Sequence, residues 1–343
     1  MIGLEEVAKL ARVSPATASR ALHRPELVAL QTRERVEEAA QQLGYRPNVL
    51  ARSLRTRGSR TIGLIVTDIL NPFHATLAKG VQDAAEGQGY TVLMFNSDEQ
   101  PDKERRALET LQGHLPQGLI VVPTAQTGDN LQIVSGLPVV ELDRTSGLEG
   151  AHSVLADNVS GAREAVSHLT ALGHRRIGMI VGRQDVSTAR ERLQGYREAL
   201  AAAGLPYQEA LVLPGNHREA DGRLAAMQLL SQRERPTALF VGNNEMTVGA
   251  VLAARELGLE LPRELSVVGF DDSRWAQTLS PALTVVAQPT YELGQIACQW
   301  LLSVIGGQPW PDSVRLPTTL IHRSSTSPPL AQPSRHPAGA SVP

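Results

Sequence analysis

Cysteine is nearly absent: Cys298 is the only one in 343 residues, so no internal disulfide and no Cys-rich zinc site can form. Aromatic residues make up only 3%, and lysine occurs just three times, at Lys9, Lys79 and Lys103, among 33 basic residues. Such an arginine bias reads as the mark of a GC-rich genome rather than of a function. No apolar run approaches the roughly 20 residues needed to span a bilayer. The opening MIGLEEVAKLARVS is charged and lacks the apolar stretch of a signal peptide. A soluble cytoplasmic protein with no membrane partner is expected.

Enzyme signatures are missing as well. There is no G-x-x-x-x-G-K-[ST] phosphate loop, no G-x-S-x-G elbow, no H-E-x-x-H and no G-x-G-x-x-G after a strand. The nine histidines lie scattered, without metal-ligand spacing. Neither catalytic residues, a metal site nor a cofactor is therefore expected, and the chain does not read as an enzyme.

What is present is apolar content of 42% with 20% charge, enough to bury cores, in a length that suggests two or three domains. The net charge of −2 hides an asymmetry. Residues 1–60 hold 11 basic against 6 acidic side chains, and the remainder holds 22 against 29. A basic end on an acidic body suggests a polyanion-binding module joined to something else.

The basic end reads as short helices. Leu4, Val7, Ala8, Leu10 and Ala11 fall at helical spacing. Ser14 suits an N-cap and Pro15 a first helical position, opening the stretch PATASRAL. A third helix is expected from an N-cap at about Thr32 through Val36 and Ala40 to Leu43, stopped by Gly44. Two helices on a tight turn, braced by a third, match a helix-turn-helix headpiece over 1–45. Residues 46–60, with five arginines and few core residues, read as a hinge able to become helical over 48–56.

From Thr61 the pattern changes to apolar β-rich runs alternating with helical stretches. TIGLIV (61–66), YTVLMF (90–95), GLIVVP (118–123) and PVVELD (138–143) come first. RIGMIVG (176–182), ALFVGN (238–243), LSVVGFD (265–271) and TVVAQP (284–289) follow. Continuous apolar strands separated by crossover helices imply parallel sheets covered on both faces, and 61–323 is long enough for two α/β lobes. The tail 324–343, with five prolines and no apolar period, is expected to be disordered; it has no leucine heptads for a coiled coil.

The stretches LEEVAKLARVSPATASRAL and TRERVEEAAQQLGYRPNVLARSLRT closely resemble the headpiece and hinge of the LacI/GalR bacterial transcription regulators. The body resembles that family through SRTIGLIVTDILNPF, DNVSGAREAVSHLTALGHRRIGMIVG, RERLQGY, ALFVGNNEMTVGA, LSVVGFDD and LTVVAQP, in order from about residue 3 to 327. The resemblance implies an all-α headpiece on an α/β body of the periplasmic-binding-protein type, two lobes joined by three crossover strands. It implies a homodimeric repressor that binds a palindromic operator in double-stranded DNA under control of a small molecule. Without a coiled-coil tail, assembly should stop at the dimer.

For DNA, the resemblance points to residues 15–20 as the start of the recognition helix. Arg20 can donate a bidentate pair to guanine, worth about 1–3 kcal/mol of discrimination. Ser14, Thr17 and Ser19 offer hydroxyls for phosphate or base contacts, while Pro15 and Ala16 offer only apolar contact, as with a thymine methyl. In the hinge, Leu54 matches the family's leucine wedge in the minor groove, flanked by Asn48, Arg52 and Arg55. Two departures stand out. Arg12 occupies a turn position where the family often has Gly or Asn, and Ala18 replaces a commoner valine on the core side.

For the effector, the resemblance carries over Phe73, His74, Arg144, Arg192, His217, Asn243 and Asp271, with Trp275 as a far wall. Asn243 and Asp271 directly follow apolar strands, where ligands bind in open α/β sheets. A carboxylate, an amide and an arginine suit vicinal hydroxyls, and Arg192 suits an anion equally well. A sugar or a sugar acid is the expected class, with a nucleoside possible. The alternatives are a coregulator driven by a partner protein and a solute sensor without DNA function.

Overall fold

The computed structural model describes residues 3–23, 25–45 and 60–330. The chain forms two units, Met1–Ser59 and Arg60–Pro343.

The first unit holds helices α1 (Leu4–Leu10), α2 (Pro15–His23) and α3 (Leu30–Gln42). Ser14 accepts the Thr17 N–H at 3.1 Å, the cap its position foretells. The third helix starts earlier than Thr32: Ala29 is its N-cap and supplies no side-chain hydrogen bond. Packing of Val36, Ala39 and Ala40 sets that helix, so its start needs no polar cap. At the end of α3, Gly44 (φ 63°) closes a Schellman turn, with Tyr45 N–H on the Ala40 carbonyl at 2.9 Å. The end of α1 closes the same way, Val13 N–H reaching Ala8 at 3.0 Å, but the left-handed residue there is Arg12 (φ 55°).

The headpiece core is Val7, Ala8, Ala11, Ala18, Ala21, Val36, Ala39 and Ala40, with Ala18 fully buried. Alanines bring the helices close but bury little apolar area apiece, so this small unit has slight reserve.

The second unit is built on two six-stranded sheets. The first contains β1 (Thr61–Val66), β2 (Thr91–Asn96), β3 (Gly118–Val121), β4 (Val139–Leu142), β5 (His152–Ala156) and β11 (Val314–Leu316), all parallel, in the order β11-β5-β4-β3-β1-β2. The second contains β6 (Ile177–Val181), β7 (Val212–Pro214), β8 (Ala238–Val241), β9 (Ser266–Phe270), β10 (Thr284–Ala287) and β12 (Thr319–Ile321). Its order is β12-β10-β9-β8-β6-β7, and only the edge strand β12 runs antiparallel. All eight apolar runs read from the sequence are strands.

Helices α4 (Pro72–Gly87) and α5 (Pro101–Gln112), the short α6 (Thr127–Asn130), and α12 (Thr290–Ile305) serve the first lobe. Helices α7 (Asn158–Ala171), α8 (Ser187–Ala202), α9 (Glu219–Leu230), α10 (Asn244–Glu256) and the short α11 (Arg274–Thr278) serve the second. The chain thus crosses between lobes three times, after β5, after β10 and between β11 and β12. The crossings are tied together: Asp157 N–H donates to Leu316 at 2.8 Å and the Thr318 hydroxyl to Asp157 at 3.3 Å. In the first lobe α4 and α12 meet at glycines. A Cβ on Gly80 would lie 2.2 Å from the Tyr291 carbonyl oxygen, and one on Gly294 2.2 Å from that of Leu77.

The structure corrects the expectation for the tail. Residues 324–330 are placed, and Ser325 is fully buried. Its hydroxyl donates to the Val267 carbonyl at 2.6 Å and accepts the Thr284 N–H at 2.8 Å, stitching β9 to β10. A serine-rich segment held by backbone pairing carries no apolar signal. The rest of the tail, 331–343, and the hinge 46–59 lie outside the described residues. No helix among the described residues is long and apolar enough to cross a membrane.

A left-handed arginine costs on the order of 1 kcal/mol relative to glycine. Arg12→Gly should therefore stabilise the headpiece by about that amount, raising its melting transition by roughly 4–8 °C while leaving that of the body unchanged. Scanning calorimetry of the full chain measures both.

Candidate functional site

Two surfaces carry the residues singled out above. On the headpiece, α2 turns Ala18 and Ala21 into the core and leaves Ser14, Pro15, Ala16 and Arg20 exposed, with Thr17 and Ser19 half-exposed. The 3.6-residue period puts Ala16 and Arg20 one turn apart on the outer face. Pro15 as the first helical residue frees that end from a backbone donor. Asn48, Arg52, Leu54 and Arg55 lie outside the described residues.

In the body, a pocket lies between the lobes with only about 20 Å³ of free volume, far below the roughly 300–1,000 Å³ of drug-sized sites. From the first lobe, the loop after β1 brings Asn71, which caps α4 through a 2.9 Å bond from Phe73 N–H, and places Phe73 and His74 in the first turn. The end of β4 brings Asp143 and Arg144. From the second lobe come Thr188 and Arg192 of α8, His217 after β7, Asn243 after β8 and Asp271 after β9, while Gln288 stands on the second crossing. Seven of the eight residues proposed for the effector therefore converge. Trp275 does not: its ring packs on the core of the second lobe, because α11 turns its apolar side inward. Asp272 is also structural, holding Arg323 by two bonds of 2.8 Å.

The backbone around the pocket is unusual. Nine non-glycine residues among those described have left-handed φ, and six of them, Asp98, Glu99, Asp143, Asn216, His217 and Asp271, follow strands at this edge. Left-handed backbone outside glycine is costly and gathers where a site imposes it. His217 sits so close over Gly182 that a Cβ there would lie 1.9 Å from its Nε2.

The electrostatics are those of buried, mutually compensated groups. The guanidinium of Arg144 is held by Glu99 through two bonds of 2.8 Å, and its Nε lies 3.4 Å from Asp143. Burial would raise the Glu99 carboxyl, but Arg144 overcomes it and holds the group at about 2. Burial wins at Asp143, pushed up to about 6 despite Arg144. Arg192 is lowered by burial, against the pull of Asp271, which burial in turn raises. Arg192 donates to Asn158 Oδ1 at 2.8 Å and the Gly242 carbonyl at 2.6 Å, and lies 3.7 Å over the Phe270 ring. Gln288 donates to Asp271 at 2.6 Å. Asn243 spends its Oδ1 on the Met246 N–H at 2.9 Å, leaving its amide N–H groups for a ligand.

Five buried atoms of this pocket have no hydrogen-bond partner: His74 Nδ1, Asp143 Oδ1, Arg144 Nε, His217 Nδ1 and Gln288 Oε1. A polar ligand that pairs with them removes a cost of about 1–3 kcal/mol per group. Asn71, Asp143, Thr188, Gln288 and Glu99 were not foreseen. Asp143 and Gln288 follow the strand runs VVEL and TVVA as Asp271 follows LSVVGF, so the same signal could have found them.

The lobes also touch directly. Asn71 and Asn244 exchange amide bonds of 3.1 and 2.9 Å, Thr145 N–H donates to Ser187 at 3.0 Å, and Arg183 donates to the Glu99 carbonyl at 3.2 Å.

Comparison with known proteins matches both parts of the chain. Residues 3–48 match the model for bacterial regulatory proteins of the lacI family, and 166–326 that for a periplasmic binding protein-like domain. The chain is 34% identical to catabolite control protein A of Priestia megaterium, over 95% of this chain and 99% of that one. It is 35% identical to the HTH-type transcriptional repressor CytR of Escherichia coli K12, over 94% and 96%. Among solved structures, the lac repressor dimer bound to operator and the anti-inducer ONPF superposes with a TM-score of 0.85 at 29% identity, covering 95% and 99%. A complex of the transcriptional regulator CelR with cellobiose gives 0.74 at 33%, covering 95% and 100%.

The pocket histidines make stability depend on pH. Burial, reinforced by Arg144, lowers His74 and His217 to about 3, so the folded protein keeps them neutral where the unfolded chain protonates them near 6.5. Stability present above 6.5 is lost as the pH falls, by up to about 2 kcal/mol for His74 between pH 7 and 5, less for the more exposed His217. Asp143 acts oppositely, since its proton is released only near 6 when folded, and offsets part of the loss. The melting temperature of the body should drop between pH 7 and 5, and because Asp143 offsets part of the summed loss, His74→Gln should remove more than half of that drop.

Proposed function

The chain belongs to the LacI family of bacterial regulatory proteins, and on that footing we propose that it is a sequence-specific DNA-binding repressor controlled by a small molecule held between the lobes of its body. The single observation that carries this reading is the pairing of two built surfaces in one chain. One is an exposed α2 led by Ser14 and Pro15, with Arg20 on its outer face. The other is a pocket whose polar atoms are left unpartnered.

In this reading Arg20 reads a guanine in the major groove, while Thr17, Ser19 and Ser14 serve phosphates or base edges. Two headpieces of a homodimer read a palindrome, each taking one half-site. The effector, a sugar or sugar derivative, contacts Phe73, His74 and Asp143 on one lobe and Arg192, His217, Asn243 and Asp271 on the other. Because it touches both lobes, it favours one arrangement of them over another, and a differential affinity between arrangements is all that control requires. A protein-driven coregulator would have no need of unpartnered groups in the pocket, so the small-molecule reading is preferred.

The test is fluorescence anisotropy on the promoter beside the gene, with salt titrated and a sugar panel added. Specific binding changed by one compound is the expected result; no specific binding with or without any compound would count against the reading. Arg20→Ala should cost the operator about 1–3 kcal/mol and relax base preference there, with effector affinity intact. Asp271→Asn should weaken effector binding at least tenfold and keep operator affinity.

A further inference from the structure

The pocket contains two guanidinium groups, and a buried arginine fork is the usual receptor for a carboxylate or phosphate. Neither is free to act so. Both terminal nitrogens of Arg144 are bound to Glu99 at 2.8 Å; its Nε, 3.4 Å from Asp143, makes no hydrogen bond and offers a single N–H rather than a fork. Arg192 spends Nε on Asn158 at 2.8 Å and Nη1 on the Gly242 carbonyl at 2.6 Å, with Phe270 beneath at 3.7 Å. Only Nη2 remains, and the carboxyl of Asp271 balances it. Around the two cations stand three carboxyl groups, Glu99, Asp143 and Asp271.

Glu99 does not line the pocket; it stands behind Arg144 at the end of β2. Its backbone is left-handed at φ 59°, and Arg183 of the other lobe donates to its carbonyl at 3.2 Å. The side-chain pairing is thus built and held from both lobes. The unpartnered atoms point to the same ligand. Asp143 Oδ1 and Gln288 Oε1 are acceptors, Arg144 Nε is a single donor that a hydroxyl oxygen satisfies, and the two neutral imidazole nitrogens pair with a hydroxyl in either role. An anion would bring further acceptors and a negative charge beside Asp143 and Asp271.

We propose that Glu99 sets the charge selectivity of this pocket: by occupying both terminal nitrogens of Arg144 and balancing its charge it takes the paired-nitrogen fork that an anion would bind, so the pocket accepts an uncharged polyol and rejects sugar acids and sugar phosphates. Glu99 is a specificity-determining residue that acts through Arg144 without touching the ligand. The inference rests on the reading of this pocket as the effector site and narrows its ligand class.

The experiment uses the full chain and two arms. In the first, melting temperature and calorimetric titration compare uncharged monosaccharides with their aldonates and monophosphates on the parent protein. Any compound that stabilises it should be uncharged, with its charged counterparts at least tenfold weaker. In the second, inorganic phosphate is the probe. Glu99→Gln keeps one acceptor for Arg144 but removes the charge, and should bind phosphate at least tenfold more tightly than the parent. Adding Arg144→Gln should abolish that gain.

Equal phosphate binding by parent and Glu99→Gln overturns the assignment, as does a gain that survives Arg144→Gln. A parent stabilised by an aldonate or a sugar phosphate as strongly as by its uncharged counterpart overturns it too, and this comparison needs no variant to fold. Should the phosphate arm behave as expected while no monosaccharide affects the parent, the role of Glu99 stands and the sugar reading of the pocket falls.

Discussion

Two sheets, parallel but for one edge strand and joined by three short crossings, turn their carboxyl edges toward one another, and the chemistry of the body depends on that constraint. A parallel sheet collects every strand end on one side. Asp143, His217, Asn243 and Asp271 therefore meet although they are spread over more than a hundred residues of sequence. The helices that follow the strands begin at the same edge, so Asn71 and Asn243 cap helices and face the pocket at once. The crossings supply the rest: Gln288 belongs to neither sheet, yet stands where both can use it.

This edge is also where the structure departs from comfortable backbone geometry. Left-handed Glu99, Asp143, His217 and Asp271 gain nothing locally that glycine would not give more cheaply. Their side chains explain the choice: Glu99, Asp143 and Asp271 are tied into the network of buried charges and hydrogen bonds, and His217 packs over Gly182 with its Nδ1 left unpartnered in the pocket. Arg12 of the headpiece offers a useful contrast. Its turn is closed by the same two backbone bonds as that at Gly44, and its side chain is exposed, so strain there has no comparable structural return.

How much of this was legible in the sequence follows from length and burial. Eight apolar runs became strands because strands covered on both faces are continuous in hydrophobicity. The four strands not foreseen are short or mixed: HSVLA opens with two polar residues, VLP ends in proline, and VRL and TLI span three residues each. Ser325 was unreadable for a different reason. Its part is to satisfy Val267 and Thr284, and backbone pairing by a serine leaves no periodicity. Trp275 was misplaced because proximity to Asp271 in sequence does not fix the side to which a short helix turns. Glu99 was invisible because its meaning lies in a partner 45 residues away.

The contacts between the lobes bear on how a ligand can act. Away from the crossings they include the Asn71–Asn244 amide pair, the bond from Thr145 to Ser187, and that from Arg183 to Glu99. Hydrogen bonds of this kind contribute about 0.5–1.5 kcal/mol each, net of those lost to water. A handful of them gives a closed arrangement favoured by only a few kcal/mol, which is the scale on which control operates. Shifting an equilibrium from 1:99 to 99:1 takes about 5.5 kcal/mol of differential binding. Five unpartnered buried groups, each costing about 1–3 kcal/mol while unpaired, supply that scale when a ligand pairs with them. Because Asp143, Arg144 and His74 belong to one lobe, His217 to the other and Gln288 to a crossing, the gain is largest when the lobes keep one particular spacing. The ligand's free energy is thereby converted into lobe position, and lobe position is what a dimer with two tethered headpieces is able to read.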